Sequence, residues 1–282
     1  MTKPVVITAD STVDLSLDLL ERYQIHIIPL TIMLGEDSFL DGAGFTPLEM
    51  YARYREDGTL PQTAAPSEEQ FHEFFKGFTD QGFEVVHVDI SAELSGTYNV
   101  ACLAANRLPG IHVVDSRMLS SGGGLLALEG AKCRDEGMSA EEIAGHLRGL
   151  TEKVSSSFVL DTLTFMWKGG RCSGVAALGA NLLRLKPALR MHEGRLEVFK
   201  KYRGKIEMVY KQYITEMLED KKIRPEHIFI TESGEIAPEV IEELTELVYE
   251  LSGCREVHHT LAGCTVSSHC GPGTLGVLFI EE

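Results

Sequence analysis

The stretch Glu84–Tyr98, which reads Glu-Val-Val-His-Val-Asp-Ile-Ser-Ala-Glu-Leu-Ser-Gly-Thr-Tyr, decides the fold. Its first half, Glu84–Ile90, is an almost continuous run of β-branched and apolar residues, typical of a strand buried on both faces. Its second half places Ser95, Gly96 and Thr97 at the start of a helix. A buried strand that runs directly into a helix predicts one unit of a parallel α/β sheet.

The same alternation continues on both sides of this stretch. Val5–Thr8 predicts a strand, and the leucine-rich Leu15–Tyr23 predicts the helix after it. Ile25–Met33 is a second apolar run, Ile111–Val114 predicts another strand, and Ser121–Arg134 predicts a long helix. Two capping boxes mark further helix starts, Ser67 with Gln70 and Ser139 with Glu142. Residues 1–154 are therefore predicted to form a doubly wound α/β domain with a parallel sheet covered on both faces.

Beyond Val154 the rhythm of the pattern changes. A short strand at Phe158–Leu160 is followed by helical and glycine-rich segments, and then by four strand-like pieces, at Ile228–Thr231, Glu256–Thr260, Cys264–Val266 and Leu275–Ile280. This pattern predicts a second, mixed-sheet α/β domain over residues 155–282. A ligand is expected in the cleft between the two domains.

The charge balance excludes some partners. The chain carries 26 Lys and Arg against 42 Asp and Glu, a net charge of −16, which repels nucleic acids, and no nucleic-acid partner is expected. Residues 168–211 differ, because they hold eleven Lys and Arg against three Glu, a local charge of +8. Either a solvated helix face or a site for an anionic ligand or acidic partner explains this segment.

The cysteines and the apolar runs indicate a soluble, cytoplasmic protein. No run approaches the roughly 18–20 apolar residues that a membrane span requires. The last thirty residues are rich in cysteine and histidine, but they contain no CxxC or HxxxH pair, and no metal site is expected. We interpret the six cysteines as reduced cytosolic thiols: Cys102, Cys133, Cys172, Cys254, Cys264 and Cys270.

Four places along the chain are candidate anion contacts. Ser95 and its neighbours start a helix, where free backbone N–H groups and the helix dipole favour a carboxylate, although an ordinary serine cap explains them too. Thr63 lies in the loop before a capped helix. Arg171 follows two glycines and either braces an anion or stands beside a plain helix end. His269 is expected at the end of a strand, as an anion donor or as a surface loop histidine.

Ser95 and His269 also allow an enzymatic interpretation, an acyl hydrolase or transferase. The stretch before Ser95 lacks the first glycine of GxSxG, and no third residue is identifiable that would orient His269. The chain contains neither GxGxxG after the first strand nor GxxxxGK[ST], the motifs of dinucleotide and nucleoside triphosphate sites.

Taken together, these segments resemble the DegV family of bacterial fatty-acid-binding proteins. The resemblance lies in the order of seven short motifs more than in any one of them: Ile7-Thr8-Ala9-Asp10-Ser11, Thr63-Ala64-Ala65-Pro66-Ser67, Leu94-Ser95-Gly96-Thr97-Tyr98, Asp115-Ser116, Lys168-Gly169-Gly170-Arg171, Leu185-Lys186-Pro187 and His269-Cys270-Gly271-Pro272-Gly273. The family often carries polar residues at the positions of Ala64 and Ala65, and threonine at that of Cys270.

The resemblance implies two α/β domains that enclose one long-chain fatty acid, with no cofactor and no catalysis of its own. The positions that match the family's carboxylate site are Thr63, Ser95 with Gly96 and Thr97, and His269. A binding module for another small carboxylate is the alternative that involves no catalysis.

The resemblance also implies a partner. Family members present the carboxylate to a separate ATP-dependent fatty acid kinase, which makes an acyl phosphate for phospholipid synthesis. Arg171 is then expected to support the head group, and Arg203 matches a position associated with kinase docking. A transient membrane contact is compatible with this role.

Overall fold

The computed structural model describes residues 3–171 and 185–282. The described strands are β1 (Val5–Asp10), β2 (Ile25–Ile28), β3 (Thr31–Leu34), β4 (Asp37–Leu40), β5 (Gln62–Ala64), β6 (Glu84–Asp89), β7 (Ile111–Asp115), β8 (Val154–Val159), β9 (Lys186–His192), β10 (Arg195–Tyr202), β11 (Ile223–Glu232), β12 (Val257–Leu261) and β13 (Leu275–Glu281). The described α-helices are α1 (Leu17–Tyr23), α2 (Pro47–Asp57), α3 (Glu68–Thr79), α4 (Thr97–Ala105), α5 (Ser121–Asp135), α6 (Ala140–Leu150), α7 (Thr164–Gly169), α8 (Ile206–Leu218), α9 (Pro238–Ser252) and α10 (Cys264–Cys270). None of these helices is long and apolar enough to cross a membrane.

A parallel sheet of four strands, in the order β2-β1-β6-β7, occupies the first half of the chain. Alternate residues of β6 pack on opposite faces: Val85 lies with Phe71 and Ala101 of α3 and α4, whereas Val86 lies with α5 and α6. The predicted parallel sheet with helices on both faces is confirmed. Its chain order reverses between β1 and β6, which leaves a crevice outside the carboxyl ends of these two strands.

A separate mixed sheet of six strands, in the order β10-β9-β8-β13-β11-β12, forms in the second half. The pair β11 and β12 is parallel, and the other neighbours are antiparallel. The predicted α/β class with one parallel and one mixed sheet is thus confirmed. Helix α5 packs against strands of both sheets, and its Gly124 lies so close to Leu15 Cδ2 that a Cβ atom would approach it to 2.7 Å.

Three segments differ from the prediction. Ile25–Met33 is interrupted at Pro29, so that β2 joins the parallel sheet and β3 joins a small antiparallel sheet, β4-β3-β5. Residues 186–202, predicted as helical and glycine-rich, form the hairpin β9–β10. Its turn residues Glu193 and Gly194 both have positive φ, 50° and 80°, as a tight hairpin turn requires.

The third difference concerns Cys264–Val266, which belongs to helix α10 and not to a strand. The Gly263 N–H group donates to Asp14 Oδ1 at 2.7 Å, and the Asp41 carboxyl group also lies beside the start of the helix, 2.8 Å from where a Cβ atom on Gly263 would stand. The bond to Asp14 satisfies a donor that a helix start leaves unpaired, and negative charge at this end of a helix is favourable, which together outweigh the strand propensity of Cys, Thr and Val. His269 therefore lies in the last turn of a buried helix and not at the end of a strand.

Candidate functional site

A pocket lies at the crevice of the parallel sheet, where this sheet meets the mixed sheet. It brings together four of the predicted residues, Thr63, Ser95, Arg171 and His269. Counted out to its open mouth, it has an empty volume of about 530 Å³. The other lining residues are mostly apolar: Leu30, Ile90, Leu94, Leu119, Met166, Leu196, Thr265, Val266 and Cys270.

Ser95 stands on a loop that both sheets hold in place. Asp10, at the end of β1, accepts a hydrogen bond from the Ile90 N–H group at 2.8 Å. Ser91 Oγ donates to the Gly194 carbonyl at the tip of the β9–β10 hairpin at 2.7 Å. The hydroxyl that lines the pocket is thus positioned from the first strand and from the hairpin, which lie 80 or more residues away in the chain.

The start of α4 has the geometry expected of an anion contact. Gly96 is the N-cap residue and supplies no side chain to the first N–H groups of the helix. Ser95 Oγ lies 2.7 Å from Thr97 Oγ1 and accepts from the Thr97 N–H group at 3.2 Å. Thr97 is fully buried behind Ser95, so Ser95 faces the pocket and Thr97 holds its hydroxyl in orientation.

His269 faces the pocket through one ring nitrogen. Its Nε2 lies 3.3 Å from Thr63 Oγ1, whereas its Nδ1 is buried without a hydrogen-bond partner among the described residues. The ring packs against Gly169, where a Cβ atom would approach Nδ1 to 2.5 Å. Burial first, and the charge of Arg171 second, lower the pKa of His269 to about 4, so the imidazole is neutral at pH 7.

Arg171 follows helix α7, which ends at Gly170 in the left-handed conformation with φ 70°. A helix thus ends at the two glycines of this motif. The exposed Arg171 side chain donates to the Gly169 carbonyl at 2.7 Å and also lines the pocket. The positive charge of Arg171 contributes to lowering the pKa of His269. Arg171 is therefore close enough to provide a positive charge for an anion bound at His269.

A second cavity, with about 320 Å³ of empty volume, lies next to the pocket. The two share Leu119, Val266 and Cys270 as lining residues, and the second extends to Phe158 and Leu278. Apart from Cys270, which belongs to a motif of the resemblance, sequence reasoning missed these wall residues, because a buried apolar residue has the same pattern whether it faces a core or a cavity. Burial raises the pKa of the Cys270 thiol to about 12, so Cys270 contributes an uncharged thiol to the cavity wall at pH 7.

Arg203 lies outside the pocket, in the turn between β10 and α8. Together with Lys201 and Lys205 it forms the basic turn, three exposed cations without an ion-pair partner in the described parts of the chain. The other cations of the hairpin are paired, for example Arg190 with Glu197. Part of the basic segment predicted at residues 168–211, namely 172–184 with Cys172, lies outside the described residues.

The arrangement of Ser95 and His269 is unlike that of a nucleophile and its base. Within residues 3–171 and 185–282, no hydrogen bond joins the two side chains, since Ser95 bonds to Thr97 and His269 to Thr63. The unpartnered Nδ1 of His269 also has no carboxylate to orient it. The arrangement is suited to donating hydrogen bonds to a carboxylate.

Comparison with known proteins places this geometry in a family. The model of the DegV family matches residues 4–282. A DegV domain-containing protein of Clostridium perfringens is 33% identical over 279 residues, which cover 98% of both chains. The chain is similar to a solved DegV family structure from Thermus thermophilus, described by its fatty acid binding, with a TM-score of 0.89, 30% identity and 100% coverage of both chains. It is also similar to a stearic-acid-binding protein from Eubacterium ventriosum, with a TM-score of 0.83, 27% identity and coverage of 98% and 97%.

Proposed function

This chain belongs to the DegV family, and from that premise we propose that it binds a long-chain fatty acid between its two sheets and presents the carboxylate to a separate ATP-dependent fatty acid kinase. The observation that carries the proposal is the meeting of Thr63, Ser95 and His269 at the polar end of a mostly apolar pocket. The proposal keeps two domains, residues 1–154 and 155–282, with the ligand between them.

The head-group contacts in this proposal are hydrogen bonds to a carboxylate. The hydroxyls of Thr63 and Ser95 and the Nε2–H group of His269 donate to its oxygens, and Arg171 adds a positive charge nearby. A carboxylate taken out of water requires such partners, and bonds to a charged acceptor are about twice as strong as neutral ones. The cap residue Gly96 and the buried Thr97 support this end of the site through α4 and Ser95.

The tail in this proposal runs from the pocket into the second cavity, past Leu119, Val266 and Cys270. Each buried methylene contributes about 0.8 kcal/mol, so a sixteen-carbon tail contributes roughly 12 kcal/mol before the costs of ordering and association. The apolar walls thus provide most of the affinity, and the three polar anchors determine which end of the ligand faces outward.

A kinase partner would supply the nucleotide-binding loop and the catalytic groups for phosphoryl transfer. The sequence contains no GxxxxGK[ST] loop and no GxGxxG motif after the first strand, and the pocket contains no hydrogen-bonded nucleophile and base among its described residues. We therefore assign phosphoryl transfer to a second protein of the cytoplasm, with the acyl phosphate entering phospholipid synthesis. The unpaired cations at Lys201, Arg203 and Lys205 are the docking surface for it.

The ligand is tested by mass spectrometry of an organic extract of the protein purified from a bacterial host. We expect about one long-chain fatty acid per chain, regained after the protein is stripped and reloaded. An empty extract together with failure to bind added fatty acids contradicts the proposal and favours another small carboxylate. Turnover of a chromogenic acyl ester by the isolated protein would instead favour the acyl hydrolase.

The docking surface is tested with Arg203→Glu. We expect this variant to slow acyl-phosphate formation by the cognate kinase about tenfold or more, while fatty-acid affinity is unchanged, because a reversed charge repels an acidic partner. Lys222→Glu makes the same change of sign beyond the other end of α8, about 20 Å along the helix, and serves as the matched control. Equal rates for the two variants would show that Arg203 is not part of the docking surface.

A further inference from the structure

Two histidines and a glutamate converge at the β11–β12 edge of the mixed sheet, on residues that the fatty-acid pocket does not use. We propose that His227, Glu256 and His258 form a binding site for a divalent transition metal, Zn²⁺ in the first place. The two imidazoles and the carboxylate are ligand types that zinc prefers in proteins. Their ligating atoms all lie within 4.8 Å of one another.

The strand register brings these three side chains to one face. Glu256 immediately precedes β12 and is two residues from His258, so the two side chains point the same way along an extended chain. In the parallel pair, His258 is opposite Phe229, and His227 is two residues before Phe229 on β11. Period-two alternation on two paired strands therefore places all three ligands together and sends His259 to the opposite face.

The distances match those of a tetrahedral site. His227 Nδ1 lies 3.0 Å from His258 Nε2, and Glu256 Oε2 lies 3.5 Å and 3.6 Å from these two atoms. A zinc ion with bonds of 2.0–2.1 Å holds its tetrahedral ligands about 3.3–3.4 Å apart. Movements of a few tenths of an ångström are enough to accommodate the ion, so the three ligands are preorganised for it.

The surroundings of the ligands also suit a metal. The second ring nitrogen of His227 lies 3.4 Å from Tyr23 Oη, an outer partner of the kind that fixes the tautomer of a ligating histidine. The side chains of His227 and His258 are 19% and 14% exposed, so the ligands are ordered but within reach of solvent.

Access for an ion comes from a surface cavity with an empty volume of about 1,000 Å³, lined by His227 and Glu256 among others. The three protein ligands leave a fourth position for water. Arg22 Nη1 donates to Glu256 Oε1 at 3.1 Å and to the ligating Oε2 at 3.3 Å, and its charge opposes metal binding. A second cluster near the cavity, Glu129 with Cys133 and His146, is less suited, because its glutamate contacts two cations, Arg224 and Lys132, whereas Glu256 contacts one arginine.

The test uses the full chain without an affinity tag, stripped with a chelator and dialysed against micromolar Zn²⁺. We expect about one zinc per chain by elemental mass spectrometry, and a Co²⁺ form with the visible absorption bands of a tetrahedral site. His227→Ala and His258→Ala should each weaken Zn²⁺ binding at least tenfold, and Arg22→Gln should strengthen it. If an alanine variant fails to fold, His258→Gln takes its place.

The matched control is His259→Ala, which removes the adjacent imidazole from the other face, where it lies 3.6 Å from Glu232. Zinc retained by His259→Ala and lost by His258→Ala supports the site. The proposal is overturned by zinc far below one per chain, or by equal zinc affinity in the His258 and His259 variants. Fatty-acid content is measured on the same samples and is expected to be unchanged.

Discussion

His269→Ala is expected to weaken the binding of a long-chain fatty acid by about ten- to a hundredfold. The variant removes an imidazole donor to a charged acceptor, a hydrogen bond worth about 1.5–3 kcal/mol, and 1.4 kcal/mol is a factor of ten in affinity. Ser95→Ala is expected to have a similar direction of effect, since its hydroxyl lines the same end of the pocket. Displacement of a fluorescent fatty acid measures both.

A second variant tests the same contact without removing the imidazole. Gly169→Ala places a methyl group only 2.5 Å from His269 Nδ1, closer than real Cβ contacts, so the ring must move away from its position beside Thr63. We expect a loss of fatty-acid affinity comparable to that of His269→Ala. Gly145→Ala, at an exposed helical glycine with nothing within 4 Å of a Cβ atom, is the control and should leave affinity unchanged.

The head-group assignment has a matched ligand control as well. A fatty alcohol of the same chain length buries the same tail but carries no carboxylate. The variants are therefore expected to lower its affinity much less than that of the acid. Unchanged fatty-acid affinity in both His269→Ala and Ser95→Ala would contradict the assignment of the site.

Asp89→Asn is expected to stabilise the protein by about 3 kcal/mol at pH 8 and by little at pH 4. Asp89 and Asp10 are fully buried at the carboxyl ends of β6 and β1, and the Asp89 carboxyl oxygens have no hydrogen-bond partner among the described residues. Burial raises the pKa of both carboxyl groups to about 7, and the charge of Asp89 adds to the effect on Asp10. The amide in the Asp89→Asn variant has the same shape as the carboxyl group but no charge, so folding at pH 8 no longer buries a charge at this position.

The direction of this pH dependence follows from the difference in carboxyl pKa between the folded and the unfolded state. In the folded state these carboxyl groups keep their protons up to about pH 7, whereas in the unfolded chain they lose them near pH 4, so their contribution to stability is full below pH 4 and is lost as the pH rises toward 7. The neighbouring His87, whose pKa burial lowers to about 4, contributes the opposite trend, as a stability lost on acidification below about pH 6.5. His87 is present in both proteins, so its own trend cancels in the difference between them, except where the substitution changes its contact with Asp89, whose Oδ2 lies 3.3 Å from His87 Nε2.

Urea unfolding of both proteins at several values between pH 4 and pH 8 measures this difference. The free energy of unfolding of the variant minus that of the wild type should increase steadily across the range. Asp135→Asn, at an exposed carboxylate, is the control and should give a flat difference. A flat difference for Asp89→Asn as well would mean that the buried pair is not protonated in the folded state.

The sequence by itself determined the class of the fold and the starts of several helices. Runs of β-branched residues between capped helices predict parallel strands, because the periods of 2 and 3.6 are local properties of strand and helix. Glu84–Ile90 became β6, and the Ser67 capping box became the start of α3 with both of its hydrogen bonds. The motifs of the DegV resemblance include Thr63, Ser95, Arg171 and His269, which line one pocket in the structure.

Only the tertiary structure decided how these residues meet. Cys264–Val266 has the composition of a strand, yet it starts a helix beside the carboxyl groups of Asp14 and Asp41, of which Asp14 accepts a hydrogen bond from the preceding Gly263 N–H group. Both carboxyl groups lie more than 200 residues earlier, so no local pattern reveals them. The contact between Thr63 and His269 spans 206 positions for the same reason.

The sequence pattern also does not predict which apolar residues line the cavities. A residue such as Leu119 or Val266 loses the same apolar surface to water whether it packs against a neighbour or faces a pocket. The hydrophobic effect is non-directional and depends on the apolar area removed from water. An apolar sequence pattern therefore predicts that a residue is buried, but not which residue or cavity it faces. Hydrogen bonds and ion pairs are directional, but their partners come from distant segments, and only the packing of the two sheets brings them within reach.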